Sequence, residues 1–259
     1  MRISVLTENY SGPNTGAEHG ISYLVEADNR KILFDTGQSA LFRRNAEIMN
    51  ISLEGIDTII LSHGHFDHGN GLKFLDGGRL VCHPSCFDRH YRKTDRSYIG
   101  LDTPKEELAQ KFDLVLSDQP LSISPNVIFL GEIPRITEFE SRTTPFIYEN
   151  GSPDFVPDDS ALVIILPEGL FLISGCGHSG LVNMLEHARK ITGCNHIYGV
   201  QGGFHLKYTD NQTHKTIEYL LQKEVSHVIP SHCNEQPALQ EFRRQIPICT
   251  LKTGDILEF

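Results

Sequence analysis

Residues 59 to 71 read IILSHGHFDHGNG, which sets His63, His65, Asp67 and His68 within six positions directly after an apolar run. Neutral imidazole and carboxylate are the usual ligands of zinc and iron, and a catalytic metal needs several of them converging while one position stays open. His63 and His65 are two apart at what reads as a strand end, so an extended backbone points both rings to one side. Asp67 and His68 follow where the chain turns, and Gly64, Gly69 and Gly71 permit the bend. Four ligands so placed can serve two ions, His63 and His65 on one, Asp67 and His68 on the other. A lone histidine is more often structural, but four donors at one strand mouth are poorly explained as a polar surface turn.

Such donors need a scaffold. RISVLTE, GISYLVEA and KILFDTG read as strands, with ADNRK as the turn between the second and third. SALFRRNAEIMN carries Leu41, Phe42, Ala46 and Met49 at helical spacing, IDTIILSH is a buried strand that delivers the histidines, and HGNGLKFL begins a further helix. In the second half ALVIILPEGLFLISG reads as a hairpin, GLVNMLEHARKI as an amphipathic helix ended by TGCN, HIYGVQGG as a strand, THKTIEYLLQKE as a helix, and VSHVIPSHC as a strand ending on a histidine. Each half offers strands followed by helices, so the expected class is α/β, a four-layer αββα sandwich. Residues 1–259 read as one domain, in which the polar, Pro- and Gly-rich stretch at about 84–158 is a central insertion serving as lid or binding loop.

A chain of 259 residues, 39% of them hydrophobic, is long enough for a proper core. The net charge of −10 argues against nucleic acid as a partner. No window approaches the roughly 18 to 20 unbroken apolar residues of a membrane span, and MRISVLTENYSG lacks a signal-peptide core, so the expectation is a cytoplasmic protein with no membrane partner. Six cysteines at positions 82, 86, 176, 194, 233 and 249 are scattered through a chain that needs no staples and are expected as reduced thiols or metal ligands. The expected partner is a small anionic molecule, with homo-oligomerisation left open.

LSHGHFDHGNGL resembles the HxHxDH signature of the metallo-β-lactamase superfamily, and the resemblance extends over nearly the whole chain. It implies the αββα fold. It also implies that Asp35 of ILFDTG sits behind the metal site and orients its ligands, and that His232 of VIPSHC completes the second metal's ligand set. The chain departs from the common pattern in the middle. The histidine of a GHTxG-like turn is missing, its neighbourhood holding Asp158 and Asp159, and Cys176 of SGCGHSG stands where a bridging aspartate belongs. On this reading His178 enters the site and Cys176 or Asp159 substitutes for the absent ligand. GEIPR, DDSALVI, SGCGHSGLVN, GGFHL and PSHC together resemble the branch related to dihydropterin ribofuranosylaminobenzene phosphate synthases, which implies a small anionic substrate, phosphorylated or pterin-like.

His205, after a strand and two glycines, is a candidate for substrate contact or proton donation. Arg89, Arg92, Lys93 and Arg96 form the local basic cluster, and Arg89 and Arg92 are candidates for holding a substrate anion. His19 could reach the pocket rim, Cys233 reads as buried packing, and CHPSCFDRH lacks the second pair of a structural zinc site. Glu132 and Arg135 read as a structural pair. The expected activity is that of a metal-dependent hydrolase with two divalent ions, zinc first and iron or manganese as alternatives, attacking through a metal-bound hydroxide. Asp67 would ligate and orient the nucleophile, while His205 or His178 supplies the proton. Two rivals stand beside it: a di-iron or iron–thiolate redox or electron-transfer protein, motivated by Cys176, and a non-catalytic ligand-binding member.

Overall fold

Asp28 and Asn29 both hold positive φ, 51° and 57°, in the two-residue turn that closes the second hairpin. That turn matches the right-handed twist of its flanking strands, and Asp and Asn tolerate it best after glycine. A computed structural model describes residues 1–259. The first half runs β1 (Arg2–Thr7), β2 (Ser22–Ala27), β3 (Arg30–Phe34), α1 (Leu41–Ile48), β4 (Thr58–Ile60), α2 (Phe66–Gly69), β5 (Gly78–Cys82), β6 (His90–Arg92), α3 (Lys105–Lys111) and β7 (Phe112–Leu116). It continues with β8 (Leu121–Ser124), β9 (Val127–Phe129), β10 (Phe146–Tyr148), β11 (Pro153–Asp154), β12 (Ala161–Leu166), β13 (Gly169–Ser174), α4 (Leu181–Thr192), β14 (Ile197–Gly202), α5 (Asn211–Gln222), β15 (His227–Pro230), α6 (Gln236–Gln245) and β16 (Ile256–Glu258).

Seven strands form one sheet in the order β16-β1-β2-β3-β4-β5-β7, and six form a second, β15-β14-β13-β12-β9-β8. The two-residue alternation of strand side chains separates the layers. Tyr23 and Val25 of β2 join Leu162 and Ile164 of β12 in a core between the sheets, while Leu24 turns outward against Phe42 and Ala46 of α1. On the far side Val163 and Leu172 pack beneath Met184, Leu185, Ile217 and Phe242 of α4, α5 and α6. Three apolar clusters separate four layers, helix, sheet, sheet, helix, which is the expected αββα sandwich.

Both sheets carry a parallel run, β3-β4-β5-β7 in one and β13-β14-β15 in the other. Loops leaving the C-terminal ends of such runs are where open α/β sheets gather ligands, and the loops after β3, β4, β13, β14 and β15 carry the chemistry-bearing residues singled out above.

Two expectations differ from the structure. HGNGLKFL does not begin a regular helix: one α-turn, α2, gives way to a 3₁₀ turn over Asn70–Phe74. Gly71 lies so near Thr36 that a Cβ would stand 2.1 Å from its carbonyl oxygen, a close approach that holds the turn against the end of β3. The 84–158 stretch contributes more to the sandwich than an irregular lid would, since β7 pairs with β5, and β8 and β9 extend the second sheet to its edge. What stands apart is a small sheet in the order β11-β10-β6. No helix of the protein is long and apolar enough to cross a membrane.

Candidate metal centre

His63 and His65 leave the end of β4 side by side, His63 Nε2 3.0 Å from His65 Nδ1. The His178 ring, from the loop after β13, lies 4.9 Å from each of theirs. One donor atom from each of these three histidines falls within 4.8 Å of the others, a spacing that a single cation could draw together. Asp67 and His68 begin the helical turn that follows. Asp67 Oδ2 is 3.3 Å from His232 Nε2 and 3.6 Å from His68 Nε2, and the two Nε2 atoms are 3.2 Å apart. Cys176 stands between the groups, its Sγ 3.3 Å from His68 Nε2 and within 4.8 Å of a donor atom of His63.

The surrounding hydrogen bonds fix which ring nitrogen faces inward. Asp35 Oδ2 is 2.7 Å from His68 Nδ1, and the same carboxylate accepts from the Ser62 amide and hydroxyl. Asn9 does this for His232, pairing Oδ1 with Nδ1 at 3.1 Å while its amide donates to the His232 carbonyl, and Glu8 accepts the His232 backbone N–H. A ligating imidazole oriented through its other nitrogen is the usual arrangement of a metal site. Asp35, His205 and His232 all hold left-handed φ of 51° to 55°, strain of about 1 kcal/mol each that tertiary contacts must offset.

Burial pushes His63, His65 and His178 well below the usual imidazole range, and takes His68 down to about 3, so these rings are neutral and keep a lone pair for a cation. Burial would raise Asp67, but His68, His19 and His232 around it hold it well below the usual carboxylate range. Burial works against charge on His232 too, yet its hydrogen bond to Asp67 carries it up to about 9. The proton so held lies where a divalent ion would replace it.

His65, Asp67, Cys176, His178 and His232 line a cavity of about 390 Å³ whose wall includes Phe146 of β10, Arg92, His205 and Lys207, with His63 and His68 fully buried. A neighbouring lobe of about 280 Å³, lined by Phe139, Arg142 and Phe155, reaches His178 and His205 from the other side. Burial takes His205 down to about 3, so its ring is a neutral hydrogen-bonding group, not a store of charge.

Most residues singled out from the sequence meet here: His63, His65, Asp67, His68, Cys176, His178, His205 and His232, with Asp35 behind. Asp159 does not. Its Oδ2 accepts from the Ser179 amide and hydroxyl at 2.8 and 2.5 Å, and it belongs to no group of clustered donors, because the loop before β12 runs behind the histidines. Asp158 likewise turns to the Gly64 amide at 2.6 Å. Arg92 reaches the cavity wall while pairing with Asp95, but Arg89 lies away from it, 3.3 Å from Glu149 and packed on Tyr91 and Tyr98. Arg135 does not pair with Glu132: it donates to Ser141 and to the carbonyls of Phe155 and Val156. In CHPSCFDRH, His90 pairs with Asp154 at 2.6 Å, with no clustering of metal donors.

Glu8, Asn9 and Lys207 were not singled out from the sequence. Nothing local marks them, since they reach the site only when β1 and the loop after β14 close on the strand ends. His19 does more than reach the rim: its Nε2 is 3.2 Å from Asp67 Oδ2 and its ring lies 4.7 Å from that of His232.

Residues 15–183 match the family model of the metallo-beta-lactamase superfamily. A protein of Methanocaldococcus jannaschii named 7,8-dihydropterin-6-methyl-4-(beta-D-ribofuranosyl)-aminobenzene-5'-phosphate synthase is 34% identical over an alignment covering 100% of this chain and 97% of its own. A second protein of that organism, the uncharacterized MJ0448, is 36% identical over 92% of both chains. Among solved structures, one described as a metal-dependent hydrolase of the beta-lactamase superfamily superposes with a TM-score of 0.89 at 32% identity, covering 100% of this chain and 99% of that one.

Proposed function

The chain belongs to the metallo-beta-lactamase superfamily, and on that premise we propose that it is a metal-dependent hydrolase that acts on a small anionic substrate, phosphorylated or pterin-like, at a binuclear centre. The observation that carries this reading is the pair of adjoining donor sets, His63, His65 and His178 beside Asp67, His68 and His232, with Cys176 between them. The residues fit two cations. His178 Nε2 is buried without a partner, a cost that native sites normally offset, and the neutral nitrogens His63 Nε2 and His65 Nδ1 face one another at 3.0 Å. Imidazole, carboxylate and a thiol suit zinc first, with iron or manganese as alternatives.

Two bound divalent ions would lower the pKa of a bound water toward about 7 and stabilise developing negative charge. The chain's own groups do the rest. Asp67, held as a carboxylate by three imidazoles, accepts hydrogen bonds and so orients whatever enters beside it. Asn9 and Glu8 hold His232, Asp35 holds His68, and Phe146 packs 5.0 Å from the His65 ring, keeping water off that side. Lys207, on the wall without an ion-pair partner, attracts an anionic group. His205, kept neutral, donates a hydrogen bond to a substrate oxygen. The relative whose name contains a pterin and a phosphate supports this choice of substrate class. That name also favours a second reading, bond formation rather than hydrolysis at the same centre.

Elemental analysis, combined with assays on phosphodiesters, phosphomonoesters, carboxylic esters and lactones, tests the proposal. Two equivalents of metal and turnover of at least one anionic ester are expected, both reduced in His63→Ala. Protein that carries two metals and turns over nothing on the panel would sink the hydrolase reading and leave the second. Turnover that persists at full rate with no metal bound would sink the metal.

A further inference from the structure

β13, β14 and β15 are parallel and end flush, with Ser174 opposite Gly202 and Gly202 opposite Pro230. Loops leaving the outer two strands of such a trio are separated by the middle one, about 9.5 Å from strand to strand. Here they meet. Cys233, three residues past β15, donates from Sγ to the carbonyl of Cys176, two residues past β13, at 3.2 Å. Both sulfurs and a ring nitrogen of His232 lie within 4.8 Å of one another.

Two glycines at the end of β14 make the closure possible. A Cβ at Gly202 would stand 2.0 Å from the Ser174 carbonyl oxygen, and one at Gly203 would stand 2.6 Å from Cys233 Sγ and 2.9 Å from the Cys176 Cα. Any side chain at Gly203 would fill the place where the thiols approach each other. Packing alone does not account for this placement, because Cys233 belongs to none of the apolar clusters and lines the same cavity as Asp67, His178 and His232.

We propose that Cys233 is a metal ligand, which joins Cys176 and His232 to make the second ion's side of the centre thiolate-rich. The inference rests on the binuclear reading above and deepens it. Two sulfur donors favour zinc, iron(II) or cobalt(II) over magnesium and manganese, which prefer oxygen. The thiol proton now donated to the Cys176 carbonyl leaves to solvent when the cation binds, so metal uptake releases protons from these cysteines.

Cobalt(II) is the probe. The purified full-length protein is stripped with a chelator, reloaded with cobalt and read by near-ultraviolet absorption, where thiolate-to-cobalt charge transfer appears, alongside cobalt content and circular dichroism. The expected result is a wild-type band that Cys233→Ala and Cys176→Ala each weaken and the double variant abolishes, with cobalt still bound by the histidines. Cys233→Ser, which keeps the volume, should weaken the band as Cys233→Ala does and serves if the alanine variant misfolds. An unchanged band in folded Cys233→Ser overturns the proposal and leaves the binuclear reading standing. Cobalt bound at two equivalents with no charge-transfer band does the same, whereas no cobalt uptake by folded wild type overturns both.

Discussion

His68 Nδ1 and Asp35 Oδ2 lie 2.7 Å apart with both side chains fully enclosed, so the ring whose Nε2 faces His232 and Cys176 is aimed by a carboxylate that never meets solvent. The same carboxylate receives two bonds from Ser62, whose hydroxyl in turn lies 2.9 Å from His63 Nδ1. Asp35 thus couples both donor sets. Asp35→Asn keeps the volume but places an amide where an acceptor is needed, and a loss of metal affinity of about 10- to 100-fold is expected. Competition against a chromophoric chelator reads it directly. Undiminished affinity in the folded variant would show that the cations themselves, not Asp35, hold the rings.

His90 and Asp154 form a buried pair at 2.6 Å, one layer behind His65. Burial opposes charge on His90, but the hydrogen bond to Asp154 and the nearby Asp158 carry it from 6.5 up to about 9. A group whose folded pKa is raised binds more protons folded than unfolded. Its contribution to stability is fully present below about pH 6.5 and is lost as pH rises through about 9. His90→Gln should therefore flatten the fall in Tm across that alkaline window while lowering Tm at neutral pH. Parallel Tm profiles for the two proteins would remove His90 as the group responsible.

Helix α4 starts without a capping side chain of its own, at Gly180. Glu140, from the loop that precedes β10, supplies the cap from a distance: Oε1 accepts the Val182 amide and Oε2 the Asn183 amide, each at 2.9 Å. Because Gly180 is two residues past His178, the same bonds steady the loop that carries a candidate ligand. Glu140→Ala would leave two buried amides unpaired, and a cost of about 1 to 3 kcal/mol in urea unfolding is expected. A change under about 0.5 kcal/mol, the range of an ordinary surface substitution, would mean that water replaces the carboxylate.

The parts of the centre legible in the sequence are those held by local chemistry. His63, His65, Asp67 and His68 are set by six residues of chain at a strand end, and the β-branched run before them identifies the strand. His178 and Cys176 were legible only through the resemblance to the metallo-β-lactamase pattern, in which SGCGHSG stands where a bridging aspartate belongs. Asn9 and Lys207 were not, since their roles depend on where β1 and the loop after β14 come to rest, and no short-range pattern encodes that. The same limit applies to β7, β8 and β9. Their alternation is present in FDLVLSDQPLSISPNVIF, but polar flanks make the stretch resemble a loop until it is paired with β5 and β12. Asp159 misled for the opposite reason: two adjacent acids near an absent ligand suggest a replacement, whereas both carboxylates accept backbone amides behind the site.

Lys207 and Arg89 separate charge that serves the cavity from charge that serves the fold. Lys207 lines the cavity close to His205, whereas the Arg89 guanidinium is 3.3 Å from Glu149 and rests 5.5 and 5.8 Å from the Tyr98 and Tyr91 rings. A cation with an ion-pair partner is already compensated and gains little from a substrate anion, while an uncompensated one at a partly enclosed wall gains a charge-assisted hydrogen bond worth about 1.5 to 3 kcal/mol. Lys207→Ala should therefore weaken binding of inorganic phosphate by about 10- to 100-fold, measured by calorimetry on the metal-loaded protein, and Arg89→Ala should leave it unchanged. Turnover of an anionic ester should show the same division as a raised KM at constant kcat, the signature of binding shared by ground and transition states. If the losses are reversed between the two variants, the anion enters across the small sheet of β6, β10 and β11, and Lys207 plays no part in its recognition.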